Sequence, residues 1–192
     1  MDYNALILAQ RKFFNSGRTK DLLFRKEQLL KLRSLIKGNE KELYEAIYGD
    51  FGKSVYETYL TELSQIYKEL KMASNNLGRW NKKKRIRTNL VNFPARSYIL
   101  PEPLGNCLII GAWNYPFYLS LVPAISAIAA GNTVIIKPSE VAKRTSKVMA
   151  GIINAAFPAG YLHVVEGGVQ ETTQLLKVRF DKIFFTGSTQ VA

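Results

Sequence analysis

The chain has 192 residues, 47% of them hydrophobic, and its 27 basic and 15 acidic side chains give a formal net charge of +12. This apolar content, with 13 glycines and 7 prolines, excludes a disordered or fibrous protein and suits one large domain or slightly more. A single cysteine excludes an internal disulfide and a multi-cysteine zinc site. Residues 1–20 lack the layout of a signal peptide, so we expect a cytoplasmic protein.

The first hundred residues predict mainly helices. Leucine and isoleucine recur at helical spacing from about Asp21, and Gly38 is a suitable C-terminal stop. Asn39 followed by Glu42 resembles a capping box and predicts the start of a second helix. A third helix is predicted at about residues 55–78. We interpret the aromatic side chains of these helices as core residues rather than as part of a cofactor site.

The positive charge is concentrated in the first half of the chain. Residues 1–100 carry 20 basic and 10 acidic side chains, whereas residues 101–192 carry 7 and 5. A dense basic run can form a binding surface for nucleic acid or an anionic membrane. No recognition helix, zinc spacing or interleaved aromatic residue accompanies it, so we interpret it as a solvated turn and expect no nucleic acid partner. The run consists of Arg79, Lys82, Lys83, Lys84, Arg85 and Arg87.

Residues 88–101 have an extended pattern that Pro94 interrupts. Because proline cannot donate a hydrogen bond to a neighbouring strand, any strand here is predicted at the edge of a sheet. Unpaired edge strands promote association, so we expect the chain to self-associate or aggregate. Light scattering tests this expectation, and a stable monomer at high concentration would contradict it.

No charged residue occurs from Pro103 to Ile136, which raises the question of a membrane span. Glycine, asparagine and proline divide this run, and its best helical piece, residues 117–130, would span only about 21 Å against a hydrocarbon core of about 30 Å. We therefore expect no membrane span. We interpret the run instead as a strand, a turn, a helix, a turn and a strand, which suits the buried centre of an α/β domain.

The second half of the chain alternates predicted strands with predicted helices. This βαβαβαβ order specifies a parallel sheet with right-handed crossovers. The fold class is therefore α/β, with N-terminal helices followed by a Rossmann-like parallel sheet. The strands are predicted at 106–111, 133–137, 162–166 and 182–186, and the helices at 117–130, 142–157 and 170–176.

Ligands of such a sheet bind beyond the carboxyl ends of its strands, and distinctive residues follow three of these ends. The side-chain amide of Asn114 can stabilise an oxyanion, although a turn or cap role is also open. Lys137 and Glu140 can hydrogen-bond ribose hydroxyls or form a solvent-facing ion pair. Gly187 and Ser188 lie at an expected helix start, where free N–H groups suit a pyrophosphate.

These residues belong to motifs that follow one another as in the aldehyde dehydrogenase superfamily, and the chain most resembles its class 3, fatty-aldehyde-like branch. The resemblance extends over the whole chain. It implies a helical segment (1–87), an extended segment that resembles part of the oligomerisation hairpin (88–102) and a partial dinucleotide-binding domain (103–192). The motifs are Pro103-Leu104-Gly105, Trp113-Asn114-Tyr115-Pro116, Gly131-Asn132-Thr133, Lys137-Pro138-Ser139-Glu140, Glu166-Gly167-Gly168 and Phe184-Phe185-Thr186-Gly187-Ser188.

The resemblance implies an NAD(P)-dependent oxidation of an aldehyde to a carboxylic acid, without a metal. In the family a cysteine thiolate attacks the aldehyde, hydride passes to the nicotinamide, and a glutamate-activated water releases the thioester. By motif, Asn114 would supply an oxyanion-hole amide, and Lys137 with Glu140 would hold the adenosine ribose. The remaining positions are Gly187 and Ser188 at the phosphates of NAD or NADP, and Trp113 and Tyr115 near the nicotinamide.

The sequence departs from the family in its catalytic residues. The resemblance implies members more than twice this length, with the glutamate base and the nucleophilic cysteine beyond the last matched position, so we expect the catalytic domain to be absent from these residues. Cys107 lies inside a predicted buried strand without a basic neighbour, so we expect an unreactive thiol. His163, the sole histidine, is interpreted as a core residue. At the position of a family glycine after Val191 the chain has Ala192, so either this glycine is replaced or the match ends there.

Three hypotheses remain open for the chain. In the first, which we favour, it is an interrupted aldehyde dehydrogenase that binds dinucleotide poorly and is inactive alone. In the second, it is one piece of a split enzyme that acts on an aldehyde only with a separately encoded C-terminal partner. In the third, it is a non-catalytic basic module whose salt-dependent binding weakens when Lys82, Lys83 and Lys84 are neutralised.

Overall fold

A computed structural model describes residues 2–189, and its N-terminal part is helical as predicted. The first helix has no counterpart among the sequence predictions, and its N-terminus is capped by the Asp2 side chain, which accepts from the N–H of Ala5 at 3.1 Å. The predicted third helix is continuous but contains a π-helical turn. The helices are α1 Tyr3–Asn15, α2 Leu22–Gly38, α3 Glu40–Phe51, α4 Val55–Thr58 and α5 Ser64–Trp80, with a 3₁₀ turn at Arg18–Lys20 and the π-helical turn at Tyr59–Leu63.

A two-stranded hairpin follows these helices. Its strands are β1, Lys84–Ile86, and β2, Ser97–Ile99, which pair antiparallel with Arg85 opposite Tyr98. The extended region therefore begins before residue 88, inside the segment that was predicted to be helical, because a three-residue strand is too short to show a period. Pro94 lies in the connection between the strands, where its missing N–H is not needed.

The second half forms a four-stranded parallel sheet, which confirms the predicted α/β fold class. Its spatial order is β5-β4-β3-β6, so the chain moves outward from β3 and then returns to place the last strand on the other side of β3. This reversal of strand order leaves a crevice at the carboxyl ends of the strands. The elements are β3 Asn106–Ile110, α6 Pro116–Ala129, β4 Thr133–Lys137, α7 Lys143–Ala156, β5 Leu162–Val164, α8 Val169–Leu176 and β6 Lys182–Phe185.

The sheet is covered by helices on both faces. The larger core joins the helical segment to the sheet and contains buried residues such as Leu29 of α2, Ile125 of α6 and Ile136 of β4. The smaller core packs Ile7 of α1 with residues of the sheet and with Leu175 of α8. The N-terminal helices therefore pack directly on the sheet, α2, α3 and α5 through the larger core and α1 through the smaller one.

The predicted capping role of Asn39 is wrong. Its side chain accepts no hydrogen bond from the start of α3, and its Nδ2 instead donates to the carbonyl of Leu35 at 2.7 Å. Asn39 therefore satisfies a carbonyl at the end of α2. The start of α3 is favoured by Glu40 and Glu42, whose negative charges suit a helix N-terminus.

The uncharged run of the second half forms β3, α6 and β4, all of which are largely buried. Pro116 occupies the first turn of α6, where its missing N–H leaves no hydrogen bond unmade, and Pro123 lies inside the same helix. Within residues 2–189 no helix combines the length and the apolar character that crossing a bilayer requires.

Candidate functional site

A cleft of about 670 Å³ opens at the carboxyl ends of β3, β4 and β6. It lies where the strand order reverses, and α8 closes one side of it with Val169 and Leu176. Three strand ends that are distant in sequence therefore contribute to one cavity. Five of the seven predicted site residues line it, namely Trp113, Lys137, Glu140, Gly187 and Ser188.

Lys137 is a buried cation in the wall of this cleft. It is the last residue of β4, its side chain is 1% exposed, and its Nζ donates to the carbonyl of Pro138 at 2.8 Å. The Glu140 carboxylate is half-exposed, 3.9 Å from the same nitrogen. Burial lowers the pKa of Lys137, although Glu140 and Glu171 favour its charged form. Because an ammonium has three N–H donors, this group can make further hydrogen bonds to a ligand.

The loop between β3 and α6 has residues in two different surroundings. Trp113 lines the cleft and is 53% exposed, with its ring centroid 6.1 Å from that of Phe51. Asn114 and Tyr115 are not part of the lining and lie beside Lys53 instead. Asn114 is an exposed residue.

Gly187 and Ser188 follow β6 at the opposite wall of the cleft. The N–H of Thr186 donates to the carbonyl of Ile110 at 3.0 Å and so extends the pairing of β6 with β3. A Cβ at Gly187 would overlap the end of the Phe185 ring, so a larger residue would displace a ring that itself lines the cleft. The rest of the predicted helix start, residues 190–192, lies outside the described residues, and so does the expected departure at Ala192.

Sequence reasoning missed Lys53 and Glu62, whose side chains form an ion pair with a nitrogen to oxygen distance of 3.2 Å. Burial raises the pKa of Glu62, and Lys53 with two backbone N–H groups opposes this shift. Glu62 is fully buried. Its place between Leu60 and Leu63 is the one sequence signal that could have pointed to this burial. Charged residues on an amphipathic helix are normally assigned to its solvent face, so the pattern alone concealed this pair.

Cys107 lies in β3 and is 5% exposed, as predicted. Burial raises the pKa of its thiol to about 11, with Asp181 adding to the shift and Lys182 opposing it. Thiolates are the reactive form of cysteine, so this group is poorly suited to nucleophilic attack.

We expect the folded chain to react with a thiol reagent such as DTNB far more slowly than the unfolded chain. With a pKa of about 11, only about one thiol in a thousand is ionised at pH 8, and burial further hinders access. Timed labelling with and without urea measures the difference. Rapid, complete labelling of the native chain would contradict the structure around Cys107.

His163 lies in the middle of β5 opposite Ile135, and it is buried as predicted. Neither of its ring nitrogens has a hydrogen-bond partner in the described part of the chain, and burial lowers its pKa. Between residues 2 and 189 no three His, Cys, Asp or Glu side chains form a group able to hold a metal ion.

The free energy of unfolding is expected to fall as the pH drops below about 6.5, in part because of His163. The unfolded chain binds a proton on this imidazole at about pH 6.5, whereas the folded chain binds it only at lower pH. This contribution is fully present above that pH and is lost below it. Urea unfolding at several pH values should show His163→Leu gaining stability relative to the parent chain as the pH falls. If the difference in unfolding free energy between the variant and the parent chain stayed constant with pH, the lowered pKa of His163 would be refuted.

A sequence model of the aldehyde dehydrogenase family matches residues 1–192. The chain is 49% identical over 179 residues to 4,4'-diaponeurosporen-aldehyde dehydrogenase of Staphylococcus aureus, covering 93% of this chain and 39% of that protein. It is 45% identical over 181 residues to aldehyde dehydrogenase family 3 member A2 of Pongo abelii, covering 94% and 37%. The chain thus spans about two fifths of the length of these relatives.

Solved structures show the same fold. The substrate-bound state of Staphylococcus aureus AldH superposes with a TM-score of 0.95 at 47% identity and covers 98% of this chain and 41% of that one. The complex of a P. syringae AldA indole-3-acetaldehyde dehydrogenase mutant with NAD+ and IAA superposes with a TM-score of 0.81 at 25% identity, covering 99% and 39%.

Proposed function

The chain belongs to the aldehyde dehydrogenase family, and from this premise we propose that its cleft binds NAD or NADP for the oxidation of an aldehyde to a carboxylic acid. The observation that carries the proposal is the position of Lys137, a buried ammonium with donors to spare, in a cavity at the switch point of a parallel sheet. The resemblance to class 3 agrees with the similarity of the chain to aldehyde dehydrogenase family 3 member A2.

The residues of the cleft fit a dinucleotide. Lys137 has N–H groups that can donate to ribose hydroxyls, and the Glu140 carboxylate can accept from them. Gly187 and Ser188 leave room for phosphates on the opposite wall, and Trp113 provides an apolar surface between these positions. When bound, the coenzyme supplies the hydride acceptor.

Asn114 is proposed to act on the substrate rather than on the coenzyme. This exposed residue lies just before α6, next to the loop residues that line the cleft. A side-chain amide N–H donor stabilises negative charge that develops on a carbonyl oxygen during attack on an aldehyde. Removing one such donor typically lowers kcat by about 10²–10³-fold.

The 192 residues alone are proposed to bind coenzyme without oxidising an aldehyde. Their single cysteine is the buried Cys107, whose thiol is held in its protonated form. The attacking thiolate must therefore come from another segment or another polypeptide, and a split enzyme remains the alternative form of the same proposal.

A chimera tests the proposal directly. The chain would be continued with the residues of the Staphylococcus aureus relative that follow the matched segment, since the two proteins are 49% identical where they overlap. We expect NAD(P)-dependent aldehyde oxidation by the chimera, none by the chain alone, and a strong loss with Asn114→Ala. A folded chimera without activity, or turnover by the chain alone, would overturn the proposal.

A further inference from the structure

Lys53 and Glu62 form a buried ion pair beneath the loop that carries Asn114. Lys53 follows the end of α3, and Glu62 lies in the π-helical turn before α5, a feature that occurs often near functional sites. The Glu62 side chain is fully buried and that of Lys53 is 14% exposed. Removing two charges from water is unfavourable unless each makes further hydrogen bonds. Both groups find these bonds in residues 114–118.

Glu62 caps the N-terminus of α6 from another part of the chain. Its Oε2 accepts the N–H groups of Phe117 at 2.9 Å and Tyr118 at 3.3 Å. These donors belong to the first turn of the helix, where they have no partner within the helix. Tyr115, at the N-cap position, supplies no side-chain hydrogen bond. A carboxylate here satisfies these donors and also suits the positive end of the helix dipole.

Lys53 holds the other side of the same loop. Its Nζ donates to the backbone carbonyl of Asn114 at 2.6 Å and lies 4.2 Å from the centroid of the Tyr115 ring, a cation–π contact. The backbone is therefore fixed at residue 114 by the cation and at residues 117 and 118 by the carboxylate. These two anchors set the direction in which the Asn114 side chain leaves the backbone.

We propose that Lys53 and Glu62 are positioning residues that fix the Asn114 amide in the orientation the reaction requires. The catalytic part of this inference rests on the proposed function, whereas the structural part can be tested in the chain itself. Neither side chain needs to touch the substrate, because both act through the backbone around Asn114.

Amide hydrogen exchange of the chain, followed by NMR, tests the structural part. Lys53→Met should speed the exchange of the Phe117 and Tyr118 amides by about tenfold or more, because it removes a charge-assisted bond from Glu62. Core amides such as Leu108 should not change, and Lys53→Arg should restore much of the protection. Lys20→Met is the matched control, since it breaks an exposed ion pair, that of Lys20 with Glu102. Unchanged exchange at 117 and 118, or an equal increase everywhere, would refute the inference.

A double-mutant cycle in the chimera tests the catalytic part. Lys53→Met should lower kcat by about 10²-fold with little change in coenzyme affinity, because a displaced catalytic group mainly affects the reacting centre. In combination with Asn114→Ala it should cause little further loss, since Lys53 acts through Asn114. If the losses in kcat caused by Lys53→Met and Asn114→Ala multiplied in the double mutant, the positioning role would be refuted. If the parent chimera is inactive, the proposed function fails, and the exchange experiment still decides whether the pair positions the loop.

Discussion

Replacing Arg25 by methionine is expected to lower the free energy of unfolding by about 3–5 kcal/mol. Arg25 lies in α2 and is only 4% exposed. Its guanidinium donates to the carbonyls of Thr19, Lys20 and Ala129 at 2.6, 3.1 and 3.3 Å. Methionine fills a similar volume but leaves these buried acceptors without a donor.

This effect should be large because Arg25 joins two parts of the fold. The carbonyl of Ala129 ends α6, whereas those of Thr19 and Lys20 lie in the turn before α2. Gly131 leaves the room that the guanidinium needs, since a Cβ there would lie 2.7 Å from its Cζ. The φ of Gly131 is also +89°, which favours glycine at this position.

Urea unfolding measures the predicted change, with Arg33→Met as the matched control. Arg33 is an exposed residue of the same helix, so its replacement should change the free energy of unfolding by less than about 0.5 kcal/mol. If the two variants were equally stable, Arg25 would not be the buried link that its contacts indicate.

Replacing Lys137 by methionine is expected to weaken the binding of NAD or NADP by about 10–100-fold. A hydrogen bond from a charged donor contributes about 1.5–3 kcal/mol, and methionine keeps the volume of the buried side chain while removing its N–H groups. The fold should tolerate this change better than Arg25→Met, because Lys137 donates to one protein carbonyl, that of Pro138, whereas Arg25 donates to three.

Isothermal titration of the chain with NAD+ and with NADP+ measures this loss. Lys143→Met is the control, since Lys143 is exposed at the start of α7 and does not line the cleft. Equal weakening by both variants would mean that the net positive charge, rather than the position of Lys137, controls affinity.

The sequence predicted the sheet well because strands and helices of the second half have clear and different periods. The order of motifs at the strand ends also predicted which residues meet, since parallel strands bring their carboxyl ends to one edge. Lys137, Glu140, Gly187 and Ser188 line one cleft for this reason.

The parts that sequence reasoning missed depend on contacts between distant segments. Arg25 and Glu62 are charged residues of amphipathic helices, and nothing in their neighbours shows that α6 will end or begin beside them. Asn39 is a residue type that N-caps favour, but its side chain donates to the carbonyl of Leu35 in the preceding helix. Local geometry, rather than residue type, decides between these two roles. The short strand β1 lacks the length that a periodic pattern requires.

A titration with NAD+, followed by the fluorescence of Trp113, decides most directly whether the 192 residues form a coenzyme site. Trp113 lines the cleft, and Trp80→Phe would remove the other tryptophan so that the signal reports this site alone. We predict a saturable change in fluorescence that Lys137→Met shifts to at least about tenfold higher NAD+ concentration. A signal that stays flat would mean that the cleft does not bind NAD+, and one that saturates identically in the variant would mean that Lys137 does not contact it.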